Sequence, residues 1–451
     1  MSTRKRKMNL LIHKLKGYLE RENVFFYVLL LVSGFVLRIF LSLHGTFRWD
    51  FNTWKKWAYS IDKVGFARFY DEVSWCDYMP GYLYVLWLLQ KIHSTFPQFS
   101  DEILFKLPAN IADLGISLLI FFALKRITNI KNAMLASLVY FFNPASLSNS
   151  TFWGQVDSFH VFFLFISVLL GVSEHFVTSS VFAVIAFMIK PQSIVIFPII
   201  GFLIISDVVR RRKEDSAVLR TSLLGIKIIS ALIGTIVIIT LPFIWDELPE
   251  NSVLGVFKET VIFVKERFYK AYSGYEYTSI NAFNFWGWIH GMWKSDQIKF
   301  LNITYQRWGA IVFGILYALI LCLLLASDLI KQYRGCKEFR YRIFQAITLI
   351  FLALFLFVTR AHERHLLPAV MFFTLIAFHS SWYLFFYAVI SLSYVVNMSY
   401  AYLEEYPILF FSSSMIKPFI PVIVSFLSVV FLLVLKDFIR DTICLYRGRS
   451  F

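Results

Sequence analysis

Long apolar runs dominate this chain. They cover roughly residues 24–43, 80–94, 103–124, 132–149, 156–172, 176–189, 192–206, 221–244, 307–330, 342–358, 365–378, 381–398 and 418–436. Several reach the about 20 residues needed to cross a bilayer's hydrocarbon core. In lipid a backbone must satisfy its own hydrogen bonds, so such runs fold as helices or as a closed barrel, and runs of this length and continuity are helices. The expected class is therefore an all-α, polytopic membrane protein with one membrane domain over residues 1–451. Composition agrees: charged residues are 16% of the chain and hydrophobic ones 58%, against about 25% and 45–50% in soluble domains.

The formal net charge of +15 would suggest nucleic acid in a soluble protein. Here the basic residues sit in short connections and ends, such as Arg4 to Lys7, Arg210 to Lys213, and Arg440, Arg447 and Arg449. That is the pattern of loops kept on the cytoplasmic side, so no nucleic-acid partner is expected. Cys76, Cys322, Cys336 and Cys444 form no CxxC pair and suggest neither metal site nor disulfide framework. The first run is long enough to span, and a cleavable signal peptide is not expected.

Charge also orders the topology. With the basic start inside, run 24–43 leads outward and 44–79 lies outside. If 80–94 crosses back and every later run crosses, Lys125, Arg126 and Lys131, the Arg210 cluster and the 331–342 loop are all exported. If 80–94 lies on the outer surface instead, every basic cluster falls inside. This arrangement has about twelve crossings (eleven to thirteen), with both termini inside. Its outer segments are a first loop of about 44–102 holding surface-lying helices, about 149–157, the Lys190 turn, a large loop of about 245–304, 359–364 and 399–417. A rival merges 176–206 into one kinked helix but still exports Lys125, Arg126 and Lys131.

The segments with chemical potential all fall on that outer face. Asp50 follows the first run within Trp49-Asp50-Phe51-Asn52-Thr53-Trp54. It reads as a general base for an acceptor hydroxyl, or as a helix cap inside an interfacial aromatic belt. Asp77, before Pro80-Gly81-Tyr82, is a second acid-base candidate or part of a turn. Trp153-Gly154-Gln155-Val156-Asp157 offers an indole and an amide suited to polyols, with Asp157 either binding substrate or complementing a helix dipole. Lys190-Pro191-Gln192 breaks two short runs and places a cation for a lipid-linked phosphate, or a snorkelling lysine. Arg360, His362, Glu363, Arg364 and His365 crowd one short connection. Arginine forks bind phosphate and histidine exchanges protons near neutral pH, and this is not an HExxH zinc pattern. The 245–304 loop interleaves Tyr269, Tyr272, Tyr275, Tyr277, Asn281, Asn284, Trp286, Trp288, His290 and Trp293, as a carbohydrate lid or a headgroup-lying loop would.

Taken in order, these motifs resemble the GT-C superfamily of glycosyltransferases over about residues 30–400, and within it the PIG-V-related mannosyltransferases. The motifs are the acid after the first helix, the aromatic loop ending in Pro80-Gly81-Tyr82, the Trp153 to Asp157 motif, Lys190-Pro191-Gln192, and His362-Glu363-Arg364-His365. The resemblance implies a polyprenyl- or dolichyl-phosphate-linked hexose donor, mannose by branch, used on the extracytoplasmic or lumenal face of a prokaryotic cell membrane or the endoplasmic reticulum. The acceptor is a lipid, glycan or protein. It implies Asp50 as catalytic base with Asp77 behind it. Phosphate would be met by Lys190, Arg360, His362, Arg364 and His365, and sugars by Trp49, Trp153 and Gln155, with Asp157, Gln192 and Glu363 in support. A single displacement inverts the anomeric centre. No Asp-x-Asp or Asp-x-Glu occurs in the early loops, so no cofactor is expected, with a divalent metal left open. Two other classes remain: a multi-pass transporter or flippase, which would place polar groups and broken helices near mid-membrane, and a non-catalytic subunit of a glycosylation complex, in which these groups need not converge.

Overall fold

The computed structural model describes residues 23–212, 216–248, 252–331, 337–408 and 412–446. Helices account for nearly all of the order. In chain order they are α1 (Asn23–Leu41), α2 (Arg48–Glu72), α3 (Pro80–Thr95), α4 (Asp101–Leu124), α5 (Ile130–Phe141), α6 (Pro144–Ser146), α7 (Asp157–Val172), α8 (Phe176–Ile189), α9 (Phe197–Arg211) and α10 (Ala217–Thr240). They continue as α11 (Val253–Ser273), α12 (Phe285–Ile289), α13 (Tyr305–Lys331), α14 (Lys337–Phe357), α15 (Leu367–Ala377), α16 (Ser381–Glu405), α17 (Ser413–Ile416) and α18 (Ile420–Tyr446). Among the described residues, eight helical stretches are long and apolar enough to cross a membrane: α1, α4, Pro191–Arg211, α10 with its extension to Phe243, α13, α14, α16, and Ser413–Cys444. Helices α7 and α8 are apolar but shorter. The chain is a multi-pass, all-α membrane protein.

Punctuation in the sequence sets the breaks. Gly65 takes φ +79° and kinks α2, a conformation open to glycine without a Cβ penalty. Pro80 begins α3 where its missing N–H costs nothing. Asn129 and Asn143 cap the helices that follow them by accepting backbone N–H bonds, at 2.9 Å from Asn132 and 2.7 Å from Ala145. Lys190-Pro191 ends α8 and opens a 3-10 turn, Pro191–Ile196, that feeds α9.

The segment 44–102, expected to hold helices, is almost entirely helical: α2 and α3 pack on each other, and α3 leans on α4 and α8. The large loop is also built, with α11, α12 and a small antiparallel hairpin, β1 (Lys299–Phe300) and β2 (Ile303–Thr304). Leu301 and Asn302 both have positive φ at its tip, as a two-residue hairpin loop requires.

Packing separates the helices by role. Helix α15 is buried along its length and packs on α14 and α16. Helices α10 and α13 leave most of their apolar surface exposed, as lipid-facing helices do. The turns sort to two ends. Arg210 and Arg211 pair with Glu174, which joins the α7–α8 turn to the end of α9. Thr128, Glu338, His379 and Arg440 line one recess, which brings the α4–α5 turn, the start of α14, the α15–α16 turn and the end of α18 to one end. The segments carrying Asp50, Trp153, Tyr275 and Arg364 meet around a different cavity.

Candidate active site

Asp50 lies in the first turn of α2, and the chain around it is shaped by a distant segment. After α6 the backbone widens into a π-helix, Leu147–Trp153, ending at Gly154 with φ +87°. That left-handed residue lets the chain reverse so that residues 153 and 155 face one group. Trp153 Nε1 donates to Asp50 Oδ2 at 2.9 Å, and Gln155 Nε2 donates to the same oxygen. Phe47 stacks on the Trp153 ring, centroids 4.1 Å apart, and its N–H donates to the Trp153 carbonyl. Two donors on one carboxylate oxygen fix the orientation of the group.

Asp157 turns the other way. Its Oδ1 accepts from Lys190 Nζ at 2.6 Å, with both side chains buried. Asn149 Nδ2 donates to Asp157 Oδ2 at 3.3 Å and to Tyr394 OH at 2.7 Å. Lys190 also lies 5.9 Å over the Tyr78 ring. Burial pushes the Lys190 ammonium down and the Asp157 carboxylate pulls it back up. The lysine expected to meet a phosphate is thus already neutralised. Gln192 is spent on His160, 3.1 Å away.

The connection between α14 and α15 divides its charges. Arg360 has φ +64°, and the chain turns there. Its guanidinium donates to Asp296 (Nε to Oδ2, 2.7 Å; Nη2 to Oδ1, 3.3 Å) and to the Tyr272 carbonyl, and it sits 4.5 Å over the Tyr272 ring. It ties the large loop to the bundle and does not line the cavity. The backbone of 280–281 bridges to His362, and the Ile280 N–H donates to the Ala361 carbonyl. Tyr275 meets His362 edge-on at 5.0 Å, and the His362 and His365 rings lie 5.2 Å apart. Arg364 Nη1 donates to Glu363 Oε1 at 2.8 Å, while its Nε is buried without a hydrogen-bond partner among the described residues.

These segments enclose a cavity of about 650 Å³ lined by Trp49, Asp50, Trp153, Tyr275, Trp293, His362, Glu363, Arg364, Glu404 and Glu405, with others. Residues singled out in the sequence that line it are Trp49, Asp50, Trp153, His362, Glu363 and Arg364, together with Tyr275, Asn281 and Trp293 of the large loop. Gln155 reaches it through Asp50. Asp77 stands behind Tyr275, whose hydroxyl donates to Asp77 Oδ2 at 3.4 Å. The pair Asp157–Lys190 lies within the electrostatic reach of Arg364, as do Asp50, Asp77 and Tyr78. His365 packs on His362 outside the lining, and Arg360 and Gln192 are engaged elsewhere.

The environment sets protonation. Burial holds His362 and His365 well below the ordinary histidine range, and the Arg364 charge adds to this. Both are neutral at neutral pH and serve as hydrogen-bonding groups, not as the cations the sequence suggested. Burial pushes Asp77 and Glu363 up, with Arg364 opposing it in each case. Among the described residues no group of three or more His, Cys, Asp and Glu side chains could hold a metal ion.

Several residues escaped the reading of motifs. Glu404 and Glu405 end α16 at the cavity. Deeper, Arg38 Nη1 donates to Asp113 Oδ2 at 2.8 Å, to Ser150 and Thr151 at 3.1 Å each, and to Asn110 at 3.3 Å. Its Nη2 donates to Ser146 at 2.8 Å. This network holds the π-helix on α1 and α4. Its signal was present as ionisable residues inside apolar runs 24–43 and 103–124. No protein-family model matches the chain, and no curated protein matches it in sequence.

Proposed function

We propose that the protein is a membrane glycosyltransferase that moves a hexose from a polyprenyl- or dolichyl-phosphate donor to an acceptor hydroxyl on the extracytoplasmic or lumenal face, with Asp50 as general base. The observation that carries this reading is the shared cavity: a carboxylate oriented by two donors and a partly buried arginine with an unpartnered Nε face the same space. Both donors take Asp50 Oδ2, which leaves Oδ1 for the proton of an acceptor hydroxyl. The freed oxygen attacks the anomeric carbon, the bond to phosphate breaks, and configuration inverts. The departing phosphate is already a stable anion. It needs positive charge in a preorganised place, and Arg364 supplies it. Trp49 and Trp293, both exposed at the cavity, offer faces on which sugar rings stack.

A second feature supports a lipid-linked substrate. An apolar groove of about 1090 Å³ shares Trp153 with the polar cavity and is lined along α16 from Leu403 down to Phe385, opposite Phe419, Val422 and Phe426. At 1.5 Å per residue that stretch of α16 is about 27 Å long, close to the about 30 Å of a bilayer core. An acyl chain of one leaflet reaches half as far, and a polyisoprenoid tail uses the whole length. In this reading α5, α7, α8 and α15 cross as short spans beside the eight long ones, giving twelve crossings. Helices α2 and α3 then lie at the outer surface, and the basic turns near Arg126, Arg210 and Arg340 face the cytoplasm.

The test is transfer of labelled hexose from synthetic polyprenyl-phosphate sugars to membrane lipid and protein fractions, comparing the parent with Asp50→Asn. Loss of at least about 100-fold in a folded Asn variant is expected, within the range for a positioned acid-base group. A parent that transfers nothing from any donor would sink the proposal.

A further inference from the structure

A buried ammonium in an apolar bundle is costly unless its protons are satisfied. Lys106, on α4, is completely buried. Its Nζ donates to three backbone carbonyls, Ser42 at 2.7 Å, Phe152 at 3.0 Å and His44 at 3.1 Å. An ammonium has three N–H groups, so the set is complete. The acceptors come from two segments far apart in sequence. Ser42 and His44 follow the last turn of α1, where helix carbonyls lack intrahelical partners. Phe152 is one residue from the end of the π-helix.

Each segment leads directly into the candidate site. Past His44 the chain runs through Phe47 to Asp50, and past Phe152 come Trp153 and Gln155, the two donors to Asp50. The two segments are pressed together at the lysine. A Cβ on Gly45 would stand 3.1 Å from the Phe152 Cβ, and one on Gly154 would stand 3.0 Å from the Lys106 Cγ. Stem and head of the lysine therefore both shape the junction.

We infer that Lys106 is a positioning residue: it staples the segment entering α2 to the segment leaving the π-helix, and so holds Asp50 within hydrogen-bond reach of Trp153 and Gln155. Its consequence for transfer rests on the reading of Asp50 as base. The staple itself does not. A neutral isostere such as Lys106→Met keeps the stem against Gly154 and removes all three donors, freeing the two segments to separate without emptying the core.

Hydrogen exchange followed by mass spectrometry, on the full chain in detergent, tests the staple without any substrate. The amides to watch are Phe47, which donates to the Trp153 carbonyl, and Gly154 and Gln155, which donate to the Asn149 carbonyl. In K106M, exchange is expected to rise about tenfold or more in both segments while α14 and α15 keep parental protection. Unchanged exchange, a rise in one segment only, or an equal rise throughout the bundle would overturn the inference. If K106M does not fold, Lys106→Arg decides, because a guanidinium still donates to carbonyls: a smaller rise confined to the same two segments is expected, and a uniform one overturns the inference. In the transfer assay, K106M is expected to lower kcat about 30-fold or more with KM for the donor within about threefold, and K106R to recover part of it. Loosened segments with an unchanged kcat would show that Lys106 does not position the base. A parent without transfer from any donor refutes the transferase reading and leaves the exchange result standing.

Discussion

Arg364 can serve the phosphate, or it can merely neutralise Glu363, and the structure allows the two roles to be separated. Among the described residues its ion pair runs from Nη1 to Glu363 Oε1, 2.8 Å apart, and Glu363 is only 2% exposed. Arg364→Met removes the phosphate partner and also strands a buried carboxylate. The stranded charge costs about 3–5 kcal/mol, unless Glu363, already pushed up by burial, takes up a proton. Loss of activity in that variant alone is therefore ambiguous. The double variant Glu363→Gln/Arg364→Met keeps both shapes and removes both charges, so the stability penalty should largely vanish. The catalytic penalty should not. A preorganised donor to developing negative charge is worth about 2.7–4 kcal/mol, or about 100- to 1000-fold in kcat. The assay pairs the melting temperature in detergent with transfer of labelled hexose. Low melting temperature and low transfer are expected for R364M, near-parental melting with transfer still down at least about 100-fold for the double variant, and at most about a tenfold loss for Glu363→Gln. A double variant that recovers transfer to within about threefold of parent would refute the argument and make Arg364 a structural partner of Glu363.

Acid should destabilise the fold through His362 and His365. Each is held below the usual range when folded but titrates near pH 6.5 when unfolded, so below about pH 6.5 the unfolded chain binds the extra protons and stability falls by up to about 1.4 kcal/mol per pH unit for each histidine. Asp77 and Glu363 are raised and act in the opposite sense, stabilising as pH falls through their folded values, so the quantity to measure is the melting difference between parent and His362→Asn/His365→Asn from pH 7.5 to 5. A difference independent of pH would rule the histidines out. The groove is tested at its middle: Val396→Trp should raise KM for long polyprenyl donors about tenfold and leave a two-isoprene analogue within about twofold, and equal effects on both would mean that the groove holds no donor tail.

How far the sequence carried the reading depends on whether a feature is local. Apolar runs, Pro80 and Pro191 are local signals, and they placed many of the helix boundaries. The convergence of Asp50, Trp153, Glu363 and Arg364 was expected from the side of the membrane that charge asymmetry gave to their loops, which is a one-dimensional argument about sidedness. Partners within that side were not legible. Trp153-Gly154-Gln155-Val156-Asp157 reads as one motif, yet Trp153 and Gln155 serve Asp50 while Asp157 serves Lys190. The difference comes from the left-handed Gly154 at the end of a π-helix whose extra width no spacing rule reveals. Arg360 and Arg364 looked equivalent, four residues apart. They differ because Asp296 and the Tyr272 carbonyl, both in the large loop, take the nitrogens of Arg360.

The same accounting separates structural charge from charge held for a ligand. Replacing a buried ion pair with packed apolar groups is often neutral or stabilising, so stability alone gives weak reason to keep one. Arg38 and Arg360 nevertheless have a structural account, because both terminal nitrogens of each are occupied and they join segments distant in sequence. Lys106 has one too, with three carbonyls for three protons. Arg364 is different. Its Nε lacks a partner, as the Arg38 Nε does, but its hydrogen bond among the described residues goes to the adjacent carboxylate, and it faces an open cavity on which Asp50, Glu404 and Glu405 also border. Among the described residues its hydrogen bond joins no distant segments, and its Nε has no acceptor. A buried donor left without a partner costs free energy, and a ligand oxygen that accepts from it removes that cost. Under the proposed function that oxygen belongs to the phosphate of the sugar donor, and Arg364 is the group it meets.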